Sequence, residues 1–153
     1  MTGDLTTEEI ESLISGNFTA RIGCCAAGKV YVVPVTYIYS NGDIISHTNE
    51  GLKVRMMREN PEVCIEIDEV EDIFNWRSVV AWGIYQELRG PEAESAFQAI
   101  YEKLDEIIQR DISRHPHTRE KTLHNRDISI DSTIVYKIKL THKTGRYERR
   151  IYI

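Results

Sequence analysis

Residues 46–53 read SHTNEGLK, and they gather imidazole, hydroxyl, amide and ammonium groups on His47, Thr48, Asn49 and Lys53. Strand-like alternation precedes this stretch and helical spacing follows it, so it is a polar bend with Lys53 in the first helical turn. A helix start leaves backbone N–H groups without acceptors and carries the positive end of the helix dipole, so it attracts anions. Two readings stand side by side. Either Thr48 or Asn49 caps the helix and Lys53 is solvated surface, or the corner grips an anionic group.

Other chemistry is thinner. His115, His117 and His124 lie in RHPHTREKTLH, with no acidic or cysteine partner at a metal-ligand spacing, and no metal site is expected. His142, at a strand end, carries no signal. There is no GxSxG elbow, and nothing beside Cys24 or Cys25 would lower a thiol pKa. Glu66 and Asp68 share a strand face, either as an acid/base pair or as its solvated side. The segment AAGK (26–29) has too few glycines and opens no helix, which excludes a Walker loop or a Rossmann fingerprint.

What remains is distributed over VVPVTYIY (32–39), HTNEGLK (47–53), ENPEVCIEID (59–68) and WRSVVAWG (76–83). Together these offer backbone donors around Pro34, the hydroxyls of Thr36 and Thr48, the Lys53 cation, and Trp76-Arg77-Ser78 at a strand start. A ligand with one anionic end and a flat, polar-edged ring would use them all. Lys53, Thr48 and Arg77 would take the anion, and the backbone near Pro34 the ring edge.

The chain of 153 residues is read as one domain, 1–153, large enough to bury a core. Hydrophobic residues make up 41% and charged residues 28%, ordinary for a globular protein. Nineteen Lys and Arg against twenty-four Asp and Glu give a formal net charge of −5. That excludes a general nucleic-acid binder, which needs a basic face, but leaves room for one phosphate in a local pocket. No apolar run is long enough to span a bilayer, and MTGDLTTEEIESL lacks the basic and apolar parts of a signal peptide. Three cysteines without a CxxC pair fit a reduced, cytoplasmic protein.

The elements that must position these groups follow from periodicity. Thr6 and Glu9 sit at capping-box spacing before a short helix with Ile10, Leu13 and Ile14 on one face. Strands are expected at 18–26, 29–39, 43–48, 63–70 and 77–88, with a turn around Gly28 and a hairpin at Asn41-Gly42. Pro34 belongs at an edge or bulge and Gly83 at a bend or bulge. Helices are expected at about 50–59 and from Gly90-Pro91 to about 110, then a polar loop over 111–129. Two last strands, 133–140 and 146–153, would turn around Thr144-Gly145. Six or seven long, mainly antiparallel strands with inserted helices make an α+β domain, and such strands favour a small barrel.

Three stretches, GCCAAGKVYVVPVTYIY, ISHTNEGLKVRMMRENPEVCIEIDEV and WRSVVAWGIYQEL, occur in an order and spacing that resembles the FMN-binding split β-barrel proteins of the pyridoxamine 5′-phosphate oxidase superfamily. The branch with the 5-nitroimidazole-resistance reductases is the nearest, and the resemblance covers roughly 15–110. It implies a split barrel with peripheral helices, FMN as cofactor, and a homodimer with FMN in the cleft between subunits. It implies that Lys53, Thr48 and Arg77 hold the phosphate, that Val33, Pro34, Val35, Thr36 and Tyr37 with Ser78 and Val79 flank the flavin, and that His47 lies near it. His47 and Tyr37 are the candidate proton donors; no catalytic side chain is otherwise assigned. The ending YERRIYI lacks the histidine of a true pyridoxamine phosphate oxidase, so that reaction is not expected. The function implied is an oxidoreductase passing electrons from NAD(P)H, or another donor, to a small organic acceptor. The alternative is a non-enzymatic flavin- or heme-binding storage, carrier or sensor protein.

Overall fold

The structure, a computed structural model, describes residues 1–114 and 130–150. The histidines at 115, 117 and 124 and the chain end 151–153 lie outside the described residues. In chain order the elements are β1 (Thr2–Asp4), α1 (Thr7–Gly16), β2 (Thr19–Ala26), β3 (Lys29–Thr36), β4 (Ile38–Ser40) and β5 (Asp43–Thr48). Then follow α2 (Leu52–Glu59), β6 (Glu62–Asp72), β7 (Asn75–Glu87), α3 (Gly90–Arg114) and β8 (Ile134–Glu148). Among the described residues, no helix is long and apolar enough to cross a membrane.

Eight strands form one antiparallel sheet in the order β3-β2-β6-β7-β8-β5-β4, with β1 on β8. β3 and β4 are consecutive in the chain yet sit at opposite ends of that order, so the sheet curls round without its two ends pairing. This is the split barrel. Two-residue turns close the hairpins at Ala27-Gly28 and Asn41-Gly42, each with positive φ at both positions, as the twist of a tight hairpin requires. Pro34 lies on the edge strand β3 and faces only β2, where its missing N–H breaks no ladder on the free side.

Alternate residues of β2, β6, β7 and β8 point inward, and Ile22, Ile65, Ile67, Val79 and Ile138 are at most 1% exposed. The capping box between Thr6 and Glu9 is present. At ten residues α1 is too short to persist alone, and burial of Leu13 and Ile14 over one barrel end holds it. A second apolar cluster seats Ala93, Ala96 and Ile100 of α3 on Val135 and Leu88, with Phe97, Ile38 and Ile45 alongside.

Two expectations are corrected. The run 29–39 is broken at Tyr37, whose side chain is buried and whose hydroxyl donates to the Ile14 carbonyl at 2.5 Å. The two final strands are one, because Gly145 is not at a turn. A Cβ there would lie 2.8 Å from Ile10 Cγ1 and 2.9 Å from Leu5 Cβ, so the glycine lets α1 and its approach cross β8 closely.

Gly83 is the expected bulge: the β7–β8 register shifts between Trp82 and Gly83. A Cβ at 83 would stand 2.6 Å from Ile138 Cγ2 and from the Lys139 carbonyl oxygen. The backbone oxygen cannot rotate away as a side chain can. Gly83→Ala should therefore lower unfolding stability by at least about 2 kcal/mol in urea titration. A cost within about 0.5 kcal/mol, the size of an ordinary surface change, would contradict this packing.

Candidate functional site

β5 delivers three consecutive polar residues to the corner, each with a different task. Ser46 points inward, 1% exposed, and its hydroxyl donates to the Thr36 carbonyl at 2.6 Å, joining β5 to β3 across the split. His47 is half-buried with its ring edge-on to Phe97 of α3, centroids 6.1 Å apart. Thr48 donates to the Asn49 carbonyl at 3.3 Å. The chain then bends and α2 begins after Gly51, whose φ of 177° is ordinary extended backbone.

The capping reading fails. No side chain caps α2: Thr48 is turned to Asn49, and the N-cap residue is a glycine without a side-chain acceptor. The N–H groups of the first turn keep no intrahelical acceptor. Lys53 is half-buried beside them, and among the described residues no carboxylate or hydrogen-bond acceptor engages its ammonium. Burial pushes the Lys53 pKa down, partly offset by the Cys24 thiol behind it. Burial likewise lowers His47, and the Lys53 charge lowers it further. A cation withdrawn from water and the uncapped donors of the helix start stand at one corner, near an imidazole whose pKa is lowered by burial and by the Lys53 charge. An anion there would satisfy all three, and a phosphate ester carries enough acceptor oxygens to do so.

The remaining predicted residues fall into two groups. On β3, Val33 and Val35 face the barrel interior while Pro34 and Thr36 are exposed on its outside. Tyr37 is 1% exposed, its hydroxyl is committed to α1, and burial raises its pKa strongly, so it cannot serve as a proton donor to a bound ligand.

Arg77, Ser78 and Val79 lie near the start of β7, whereas Thr48 meets the opposite end of β8. Arg77 places Nε and a terminal nitrogen each 2.7 Å from one Glu69 oxygen. Ser78 donates to Glu66 at 2.9 Å, and Val79 is fully buried. Arg21 bridges Glu66 and Asp68 at 3.0 Å each, so these carboxylates form a paired surface cluster and not a free acid/base pair. Three strand spacings, about 14 Å, and a further offset of two residues along β7 separate Pro34 from Ser78 on the outer face. Within one chain the corner and the 77–79 group do not meet.

That outer face carries something the sequence reading missed. Val30, Val32, Trp82 and Ile84 are 70%, 59%, 42% and 39% exposed and line an apolar depression of about 470 Å³ with Cys25 and Cys64. The signal was present, since both faces of β3 are apolar where a solvated strand would alternate. Ser46 was also missed, although a serine at an inward position of DIISHT marks a buried polar group that must find a partner.

Known proteins match this architecture. The family model of pyridoxamine 5′-phosphate oxidase matches residues 6–147. An uncharacterized protein of Rhizobium meliloti (strain 1021) is 36% identical over 84 residues, 55% of this chain; the match spans 56% of that relative's length. Among solved structures, an FAD-binding protein from Mesorhizobium loti superposes with a TM-score of 0.68 at 25% identity, covering 96% of this chain and 98% of that one. A candidate 5-nitroimidazole antibiotic resistance protein from Bacteroides thetaiotaomicron gives a TM-score of 0.68 at 20% identity, covering 96% of this chain and 87% of its own. With residues 6–147 matched by the family model and the whole fold superposing on a solved neighbour, the chain belongs to the pyridoxamine 5′-phosphate oxidase family.

Proposed function

We propose that this protein is an FMN-binding flavoprotein that works as a homodimer and passes electrons from NAD(P)H to a small organic acceptor. The half-buried Lys53 at the uncapped start of α2, without a partner among the described residues, carries the reading. The similar Mesorhizobium loti protein binds FAD, which supports a flavin here. One cation and one set of helix N–H groups suit a single terminal phosphate, and that favours FMN over the longer FAD.

In this reading Lys53, Thr48 and the first turn of α2 hold the phosphate. The free backbone edge of β3 from Val33 to Thr36, where Pro34 and Thr36 are exposed, lies along the ring. The flavin, when bound, supplies the redox chemistry. His47, whose pKa is lowered by burial and by the Lys53 charge, is placed to hold a proton near the ligand, with Phe97 edge-on to its ring. The second copy accounts for the group that one chain leaves stranded. A two-fold pairing through the Val30–Val32–Trp82–Ile84 face would cover the exposed apolar surface, and in this reading the Arg77–Ser78 start of β7 faces the ligand held by the other copy. Stable pairing of this kind buries on the order of 2,000 Å². A single-chain sedimentation coefficient with the cofactor still bound would contradict it.

Lys53→Ala tests the phosphate grip. It removes a charge-assisted contact of about 1.5–3 kcal/mol, so FMN affinity should fall about 10- to 100-fold. Riboflavin has the same ring without the phosphate and should bind both proteins nearly alike. Measuring the two ligands on the two proteins closes a double cycle that separates the contact from general damage. Equal losses for both ligands would make Lys53 structural and remove the corner from the site.

His47 gives a pH test on the cofactor-free protein. Its folded pKa is lowered, so the folded chain resists the proton that the unfolded chain accepts below about pH 6.5. Its contribution is therefore intact above the unfolded pKa and is lost as pH falls through that value toward the folded one. The loss of stability between about pH 7.5 and about pH 5.5 should be smaller in His47→Gln than in the native protein. Identical pH dependence in the two would mean that His47 is not held neutral.

A further inference from the structure

The bend before α2 keeps its shape without a cap, and the structure shows what holds it. α2 has eight residues, too few to be stable alone, and Arg58 stands in its last turn. Its guanidinium reaches back along the helix, with one terminal nitrogen 2.7 Å from Glu50 in the bend and Nε 2.5 Å from Glu87 at the end of β7. Glu87 is the firm anchor: its side chain is 16% exposed, and it also receives the Tyr85 hydroxyl at 3.0 Å and Arg89 at 3.4 Å. Isolated surface ion pairs add little stability. A planar fork that binds two carboxylates on separate elements instead fixes geometry.

We propose that Arg58 is a positioning residue for the anion site: by pinning Glu50 to Glu87 it sets the 49–51 bend, so that the first N–H groups of α2 stay open to a ligand phosphate. This rests on the phosphate reading of the corner given above. A side-chain cap and a bound phosphate compete for the same donors. The chain carries Thr48 and Asn49 where a cap would come from, and uses neither. Glu50 is a third competitor, since a carboxylate beside a helix start is drawn to those N–H groups; Arg58 holds it away. The clamp thus does the work of a cap from outside the helix start.

The test is a set of Glu50→Gln, Arg58→Gln and the double variant, each assayed for FMN affinity, riboflavin affinity and melting temperature without cofactor. Positioning predicts that each single variant weakens FMN about 3- to 10-fold, the scale of losing a helix cap, with riboflavin little changed. The double variant should then be no weaker than either single. A plain charge effect gives opposite signs: losing Glu50 tightens FMN, losing Arg58 weakens it, and the double variant returns to the native value. That pattern would overturn the proposal. So would equal losses for FMN and riboflavin, or a lowered melting temperature with FMN affinity unchanged. Lys53→Ala measured alongside separates the two claims. If it fails to weaken FMN selectively, the phosphate reading falls. If it does so while the Glu50 and Arg58 variants do not, only the positioning role falls.

Discussion

A barrel whose two ends do not pair needs something else to hold the gap, and here it is a buried serine. The Ser46 hydroxyl donates to the Thr36 carbonyl from a position 1% exposed to water. A buried hydroxyl without a partner costs about 1–3 kcal/mol, so the bond is worth more broken than it gains when made. At the next residue the chain on the β3 side dives inward at Tyr37, whose N–H donates to the Phe18 carbonyl at 2.9 Å and whose hydroxyl bonds to α1. The split is therefore fixed from both sides. His47 and Thr48 leave the β5 edge in defined directions because Ser46 cannot move.

The same constraint explains the electrostatics. The protein is acidic overall, with a formal net charge of −5, yet Lys53 stands half-buried in a corner whose own carboxylate, Glu50, is paired with Arg58. Glu50, the nearest acidic residue in sequence, is drawn off by Arg58. Lys53, the uncapped helix start and His47 stand together at this corner, and an anion placed there would meet the Lys53 charge and the open N–H groups. In the proposed reading such a corner would select charge at one point and leave the rest of the ligand to shape, as suits a molecule with a phosphate at one end and a flat ring at the other.

Much of this was legible locally. The Thr6–Glu9 capping box, the Asn41-Gly42 hairpin, the edge position of Pro34 and the bulge at Gly83 each depend on a few neighbouring residues, and each is present. Gly145 was not legible, because a glycine that turns a chain and one that lets another element pass look alike until Leu5 and Ile10 arrive from the far end of the sequence. Tyr37 failed for a similar reason: an aromatic residue in a strand-like run gives no sign that it will leave the ladder for the core. In the corner, the residues His47, Thr48 and Lys53 were readable, but the missing cap was not. It depends on a clamp from Arg58 to Glu87, and pairing potentials for helix starts do not look that far. The separation of Arg77 from Lys53 follows from register along β7 and β8, which sequence alone leaves open.

Native mass spectrometry of the purified protein tests the central claim in one spectrum. The account predicts a species of two chains carrying two FMN molecules, with FMN as the mass released on denaturation. A monomer that retains its cofactor, or a dimer that releases heme or no phosphate-bearing flavin, would contradict it.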